Sequence, residues 1–235
     1  MTATAAAARM LTHPDDFFKY YPVMMDGGTG VFVPNASNVK TYYLAKKSPD
    51  TVGTVGNVVG HYGATRPGIF SARQISSFRM SMQAATNCSG QLQTHGVPMV
   101  NYDSNLDGKV NLHATVTAMD HYVVGAGAHY MTTGLLTGCC FAWIEAGGAL
   151  WCVHVRPKDG ITGVQLHTLI ATQGRFAARP HTPLSTFGRN DYTNYANVIG
   201  VNTVTGWKLY AQTSSDQFRT ITGAWQIAPG AVRRL

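Results

Sequence analysis

Charge is scarce in this chain: Asp, Glu, Lys and Arg together make up 12% of 235 residues, about half the usual share for a globular protein. The shortage does not signal a membrane span, because no apolar run approaches the roughly 18 residues a helix needs to cross a bilayer. Cysteine is also sparse. Cys88, Cys139, Cys140 and Cys152 are too few and too irregularly spaced for a disulfide framework, and the thiols are expected to be reduced. No C-x-x-C pair and no H-x₃₋₅-H spacing points to zinc. Basic clusters are missing too. The net charge is +7, yet Lys46-Lys47 and Arg233-Arg234 are the only doublets, so nucleic acid is not an expected partner. The N-terminal alanine run has no basic segment ahead of it and breaks at Arg9, which reads as no Sec signal.

What the chain does have is 25 glycines and a 45% apolar share, a mix that favours short strands and turns. The expected fold class is α+β: a single-domain, sandwich-like core of mixed sheets flanked by helices and long loops. Residues 1–12 read as a flexible arm and 13–235 as one domain. Thr12, Pro14 and the acids after it suggest a short helix over 12–21. Strands are expected at 31–33 and 39–45, with turns at 26–30 and a Gly-punctuated loop over 50–63. Ile75, Phe78, Met82 and Ala85 recur at helical spacing and predict a helix over 71–86. Asp103, Asn105, Asp107 and Gly108 resemble a calcium loop, but position 114 is Ala where a glutamate is required, so the stretch reads as a turn leading into a strand. Residues 179–201 read as loop, and 206–215 and 220–228 as a closing antiparallel pair.

Residues 135–155, "LLTGCCFAWIEAGGALWCVHV", carry the chemistry. A thiolate nucleophile needs a neighbour that removes or stabilises its proton. Gly138 permits a sharp turn before Cys139, and a helix opening there would offer free N–H groups to a thiolate or an oxyanion. The Gly147-Gly148 step predicts a hairpin turn. On the strand that follows, alternation sets Cys152 and His154 on one face and Trp151, Val153 and Val155 on the other. Cys140 points away from Cys139, so only one of them meets His154. Cys152 is two residues from His154 on one strand, too far for direct proton transfer. The spacing leaves a second account open, in which these cysteines and the histidine are core residues.

"TTGLLTGCC" followed by "VHV" resembles the bacterial protein glutamine deamidase toxins, the family of the cytotoxic necrotizing factor catalytic domain and Burkholderia lethal factor, related to the chemoreceptor deamidases. The family pattern Leu-Ser-Gly-Cys reads here as Leu136-Thr137-Gly138-Cys139, with Thr for Ser. His154 lies 15 residues after Cys139, and Thr133 stands six before it, where the family has a threonine that holds the histidine. "PLSTFGRND" (183–191) and "VTGWKLYAQTSS" (204–215) resemble a second motif and closing strand of the lethal factor. The likeness covers roughly the C-terminal half. It departs from the family in the doubled cysteine and in the two residues that separate Trp151 from His154.

The resemblance implies an effector that turns a glutamine of a host protein into glutamate through a thioester on Cys139. His154 would be the base, Thr133 its support, and Gly138 and Thr137 would shape the oxyanion site, with Arg189 and Phe187 at its mouth. It implies no metal or cofactor, a monomer, a host partner such as a translation helicase or a Rho-type GTPase, export by a non-Sec route and action in the host cytosol. A protease or transglutaminase-like acyl transfer would use the same pair. A non-catalytic β-rich binding module would use neither.

Overall fold

A computed structural model describes residues 1–25, 39–47, 77–102, 118–125, 127–158, 160–214 and 221–235. The turn at 26–30, the strand at 31–33, the loop at 50–63, residues 71–76 and the calcium-like stretch at 103–117 lie outside the described residues.

Alternating burial sorts the strands into two facing sheets. One contains β1 (Val23–Met25), β2 (Val39–Lys47), β3 (Ser77–Ser81), β4 (Cys88–Gly96), β8 (Tyr130–Leu136), β13 (Tyr195–Thr203), β14 (Gly206–Ser214), β15 (Ile221–Ala228) and β16 (Arg233–Arg234), in the order β1-β3-β2-β4-β8-β13-β14-β15-β16. The other runs β12 (Ser185–Phe187), β9 (Cys140–Ala146), β10 (Ala149–Arg156), β5 (Met99–Asn101), with β7 (Tyr122–Val124) also on β10. A small parallel pair, β6 (Ala118–Met119) and β11 (Arg175–Phe176), stands apart. Both sheets mix parallel and antiparallel neighbours.

The apolar clusters give four layers. Met131, Leu136, Val198 and Leu209 of the large sheet meet Phe141, Trp143, Leu150 and Cys152 of the small one, and this is the inter-sheet core. On the outer face of the large sheet, Ile199, Val201 and Tyr210 pack under α1 (Ala3–Thr12) and α2 (Pro14–Tyr20). On the outer face of the small sheet, Cys140, Ala142, Val153 and Val155 pack under α3 (Gly163–Gln173). The expected α+β class with a β-rich core and flanking helices is therefore the one found.

Three local expectations need correction. Residues 1–12 are not a loose arm. They form α1, capped by Thr2 and with Ala6 and Met10 fully buried, because alanine combines the strongest helix propensity with a side chain small enough to press against a sheet. Over 77–81 the expected helix is instead β3, whose alternate residues Phe78 and Met80 are buried. The helical spacing coincided with a period-two pattern, and the second one faces a core. Within the supposed loop of 179–201, β13 is a central strand buried on both faces. Its buried residues, Asn197 among them, run on without the alternation that marks a half-exposed strand. Helix α2 starts at Pro14 as expected, but His13 rather than Thr12 precedes it.

Candidate active site

The chain leaves the large sheet at the end of β8 and enters the small one at β9, through Thr137, Gly138 and Cys139. No helix opens here, so the expected helix-terminal N–H groups are not available to Cys139. The crossover places Cys139 at the inter-sheet core, whereas Cys140 begins β9 with its side chain among the residues under α3. Strand alternation has split the doublet.

A two-residue turn, Gly147-Gly148, with φ of 60° and 73°, returns the chain along β10. Phe141 then faces His154, and Val155 faces Cys140. One step further along this ladder, Cys139 would face Arg156 and lie diagonal to His154 on the same face. Such diagonal neighbours sit about 7–8 Å apart. Leu150 and Cys152 belong to the inter-sheet core and Val153 and Val155 to the outer cluster, so alternation also turns His154 inward.

A bulge in the opposite sheet holds His154. Between Asn197–Leu135 and Ile199–Thr132, strand β13 has one residue, Val198, while β8 has two, Thr133 and Gly134. Gly134 takes a φ of 75°, the left-handed conformation such bulges favour. The hydroxyls of Thr132 and Thr133 satisfy the disturbed backbone, accepting from Gly134 N–H and donating to Gly134 O. The Thr133 carbonyl receives the His154 imidazole at 2.7 Å from Nδ1. A carbonyl only accepts, so Nδ1 carries the proton and Nε2 is the basic nitrogen. Nε2 is buried and has no hydrogen-bond partner among the described residues. Burial pushes the imidazole down to about 4, opposed by the Thr133 bond. Burial likewise raises the Cys139 thiol, against a backbone hydrogen bond from Thr137 and the charge of Arg156. The resting pair is a neutral thiol and a neutral imidazole.

Tyr192 has no role in the sequence-based account, yet its hydroxyl fixes the Cys139 loop. It accepts from Gly138 N–H at 2.9 Å and donates to the Cys139 carbonyl at 2.8 Å. Gly138 N–H, expected as an oxyanion donor, is therefore occupied. The signal lay one residue beyond the motif, in "STFGRNDY". Phe187 stacks on the Tyr192 ring with centroids 5.9 Å apart, and the Arg189 guanidinium lies 5.5 Å above it. Behind this loop, Asp191 accepts from Gly188 N–H, while His167 on α3 accepts from Asn190 N–H and contacts Thr186. Helix α3 also presses on the Cys139 loop: a Cβ on Gly163 would stand 2.4 Å from the Gly138 carbonyl oxygen. Arg189, Asn190, Asp191, Tyr192 and Thr193 line an open cleft of about 290 Å³.

Thr133, Gly138, Cys139 and His154 thus share one neighbourhood, with Thr133 acting through its carbonyl and Thr137 through its backbone. Phe187 and Arg189 flank the tyrosine. Cys140 and Cys152 are fully buried, and all four cysteines are unpaired. His121 stacks on Trp151 at 4.5 Å, on the face of β10 opposite His154, and His129 is exposed. Among the described residues no cluster of His, Cys, Asp and Glu is arranged to hold a metal ion, and no helix is long and apolar enough to cross a membrane. No family model matches the chain, and no curated protein matches it.

Proposed function

We propose that the chain is a protein glutamine deamidase, with Cys139 as nucleophile and His154 as general base and acid. One observation carries the reading: His154 has its tautomer fixed by the Thr133 carbonyl and presents a free, buried Nε2 in the layer that also receives Cys139. A general base contributes about 10²–10⁴-fold once it is within hydrogen-bond reach of its proton; Nε2 has no such partner among the described residues, so the reading requires Cys139 Sγ to swing onto the anchored imidazole.

The steps follow from these parts. Nε2 takes the thiol proton as Sγ bonds to the carboxamide carbon. The tetrahedral intermediate then loses its C–N bond, and the imidazolium returns the proton so that ammonia departs. Nε2 next deprotonates a water that attacks the thioester, the C–S bond breaks, and the thiolate takes the proton back. Glutamate remains on the substrate.

The substrate is proposed to be a host protein of the translation-helicase or Rho-type GTPase kind, met in the host cytosol. The net positive charge favours an acidic docking face. The test is a mass-spectrometric search of a eukaryotic lysate for glutamine-to-glutamate conversion, using the wild type beside Cys139→Ser. Conversion of a defined glutamine by the wild type alone supports the reading, and identical peptide maps contradict it.

A second reading, a non-catalytic β-rich module, draws on the burial of Cys139, which is 4% exposed and has a raised thiol pKa. It predicts no conversion and a Cys139 inert to alkylation.

A further inference from the structure

The Tyr192 hydroxyl is held between one backbone donor and one backbone acceptor, Gly138 N–H and Cys139 C=O, on the two residues that set the direction of the Cys139 side chain. We infer that this pair of peptide groups is the docking subsite for the reacting carboxamide, and that Tyr192 occupies it until substrate arrives. The inference deepens the deamidase reading and rests on it for the identity of the nucleophile.

The chemistry of the pair is selective. A primary carboxamide has one strong acceptor and an NH₂ donor, the same two functions the phenol supplies. Its oxygen would accept from Gly138 N–H, where negative charge develops during attack by Sγ, and its N–H would donate to the Cys139 carbonyl. A carboxylate has only acceptors, so it satisfies Gly138 and leaves two oxygens facing each other at Cys139. Leaving a buried polar group unmatched is what gives such sites their discrimination. The subsite therefore favours glutamine over the glutamate it becomes, which promotes product release.

The surroundings fit an exchange of one occupant for another. Tyr192 is 4% exposed, yet it also borders the open cleft formed with Arg189, Asn190, Asp191 and Thr193. Its ring is held from the side by Phe187, and Arg189 Nη1 reaches its carbonyl at 3.4 Å. The hydroxyl can leave the pair while the loop keeps its other anchors, the Asp191–Gly188 bond and the His167–Asn190 bond. Gly163 and Gly188 keep α3 close beneath these loops, since a Cβ on Gly188 would fall 2.6 Å from the His167 ring.

Two alkylating reagents of nearly equal size test the subsite without any deamidation assay. Iodoacetamide carries a primary carboxamide and iodoacetate a carboxylate. The rate at Cys139 is measured with each by peptide mass spectrometry, with the partly exposed Cys88 as internal reference. Cys139 is expected to prefer iodoacetamide at least tenfold more strongly than Cys88 does, against the pull of the nearby Arg156 on the anion. In Tyr192→Phe the hydroxyl is gone and the pair is free, so the iodoacetamide rate should rise a further tenfold and the iodoacetate rate much less. Equal preference at the two cysteines in the wild type overturns the inference. So does an equal rise for both reagents in Tyr192→Phe, which would mean the tyrosine only shields the thiol, or no reaction of Cys139 with either reagent. If Tyr192→Phe does not fold, the wild-type ratio still decides. These results are independent of the lysate screen: selective alkylation without glutamine conversion would retain the subsite and discard the deamidase, whereas conversion without selectivity would do the reverse.

Discussion

Two buried histidines point into the inter-sheet layer, and they are held differently. His95 on β4 bonds through Nδ1 to the Tyr122 hydroxyl at 2.7 Å, and its ring meets Tyr122 and Trp207 edge-on. His154 bonds through Nδ1 to a backbone carbonyl at 2.7 Å. Both have an Nε2 without a partner among the described residues, and burial lowers both pKa values. A hydroxyl both gives and takes a proton, so the Tyr122 bond does not set the His95 tautomer by itself, and the Gly125 backbone also bonds that ring and opposes the downward shift. The Thr133 carbonyl allows only one tautomer at His154. What sets the proposed base apart from His95 is therefore the nearby thiol, Cys139, in the same layer.

Substitution should separate the two most sharply in turnover. His154→Gln and Cys139→Ser are expected to lower glutamine conversion by about 10²–10⁴-fold, the usual worth of a general base or more. His95→Gln should leave the rate within a few-fold. Equal losses at His95 and His154 would erase the contrast.

The next largest effect is on stability against pH. His154 sits at about 4 in the folded chain and near 6.5 when unfolded, so below 6.5 the unfolded state binds the extra proton. Its contribution is complete above pH 6.5 and is lost progressively as the pH falls to about 4. The loss is about 3 kcal/mol. Denaturant titrations from pH 7 to 4 should show this slope, and His154→Gln should flatten it. An unchanged slope in the variant would place the titration elsewhere, with His95 the first suspect.

Gly163→Ala would drive a Cβ into the Gly138 carbonyl and should cost about 1–3 kcal/mol, as overpacking does. It should also slow turnover, because the displaced peptide carries Cys139. Equilibrium unfolding and conversion rates measured together would show whether stability and activity fall in parallel. The smallest effect is expected at Thr133→Val. Among the described residues the side chain bonds only Gly134 O, so the change should cost about 1 kcal/mol or less and leave turnover nearly intact. A large loss of turnover would move the support of His154 from the Thr133 carbonyl to its hydroxyl.

The sequence made much of the small sheet legible. "EAGGAL" read as a hairpin turn because two adjacent glycines accept positive φ, and alternation along β10 correctly divided His154 from Trp151. Cys140 read as facing away for the same reason. Long-range features left weaker traces. The bulge at Thr133-Gly134 depends on register against β13, and β13 itself read as loop because it is buried on both sides. Tyr192 is 53 residues from the cysteine whose carbonyl it bonds, a distance over which no periodicity carries information. Helix α3 did leave a local signal, the Thr162–Gln165 capping box, that a search for helix starts would have found.

Alkylation of Cys139 as a function of pH, in the wild type, His154→Gln and His95→Gln, tests the central claim most directly. If His154 is the base for Cys139, its loss should slow the reaction near neutral pH by about tenfold or more and remove a rate inflection between the imidazole and thiol ranges. The His95 variant should follow the wild type. Identical profiles in all three proteins would contradict the account and return both histidines to the core.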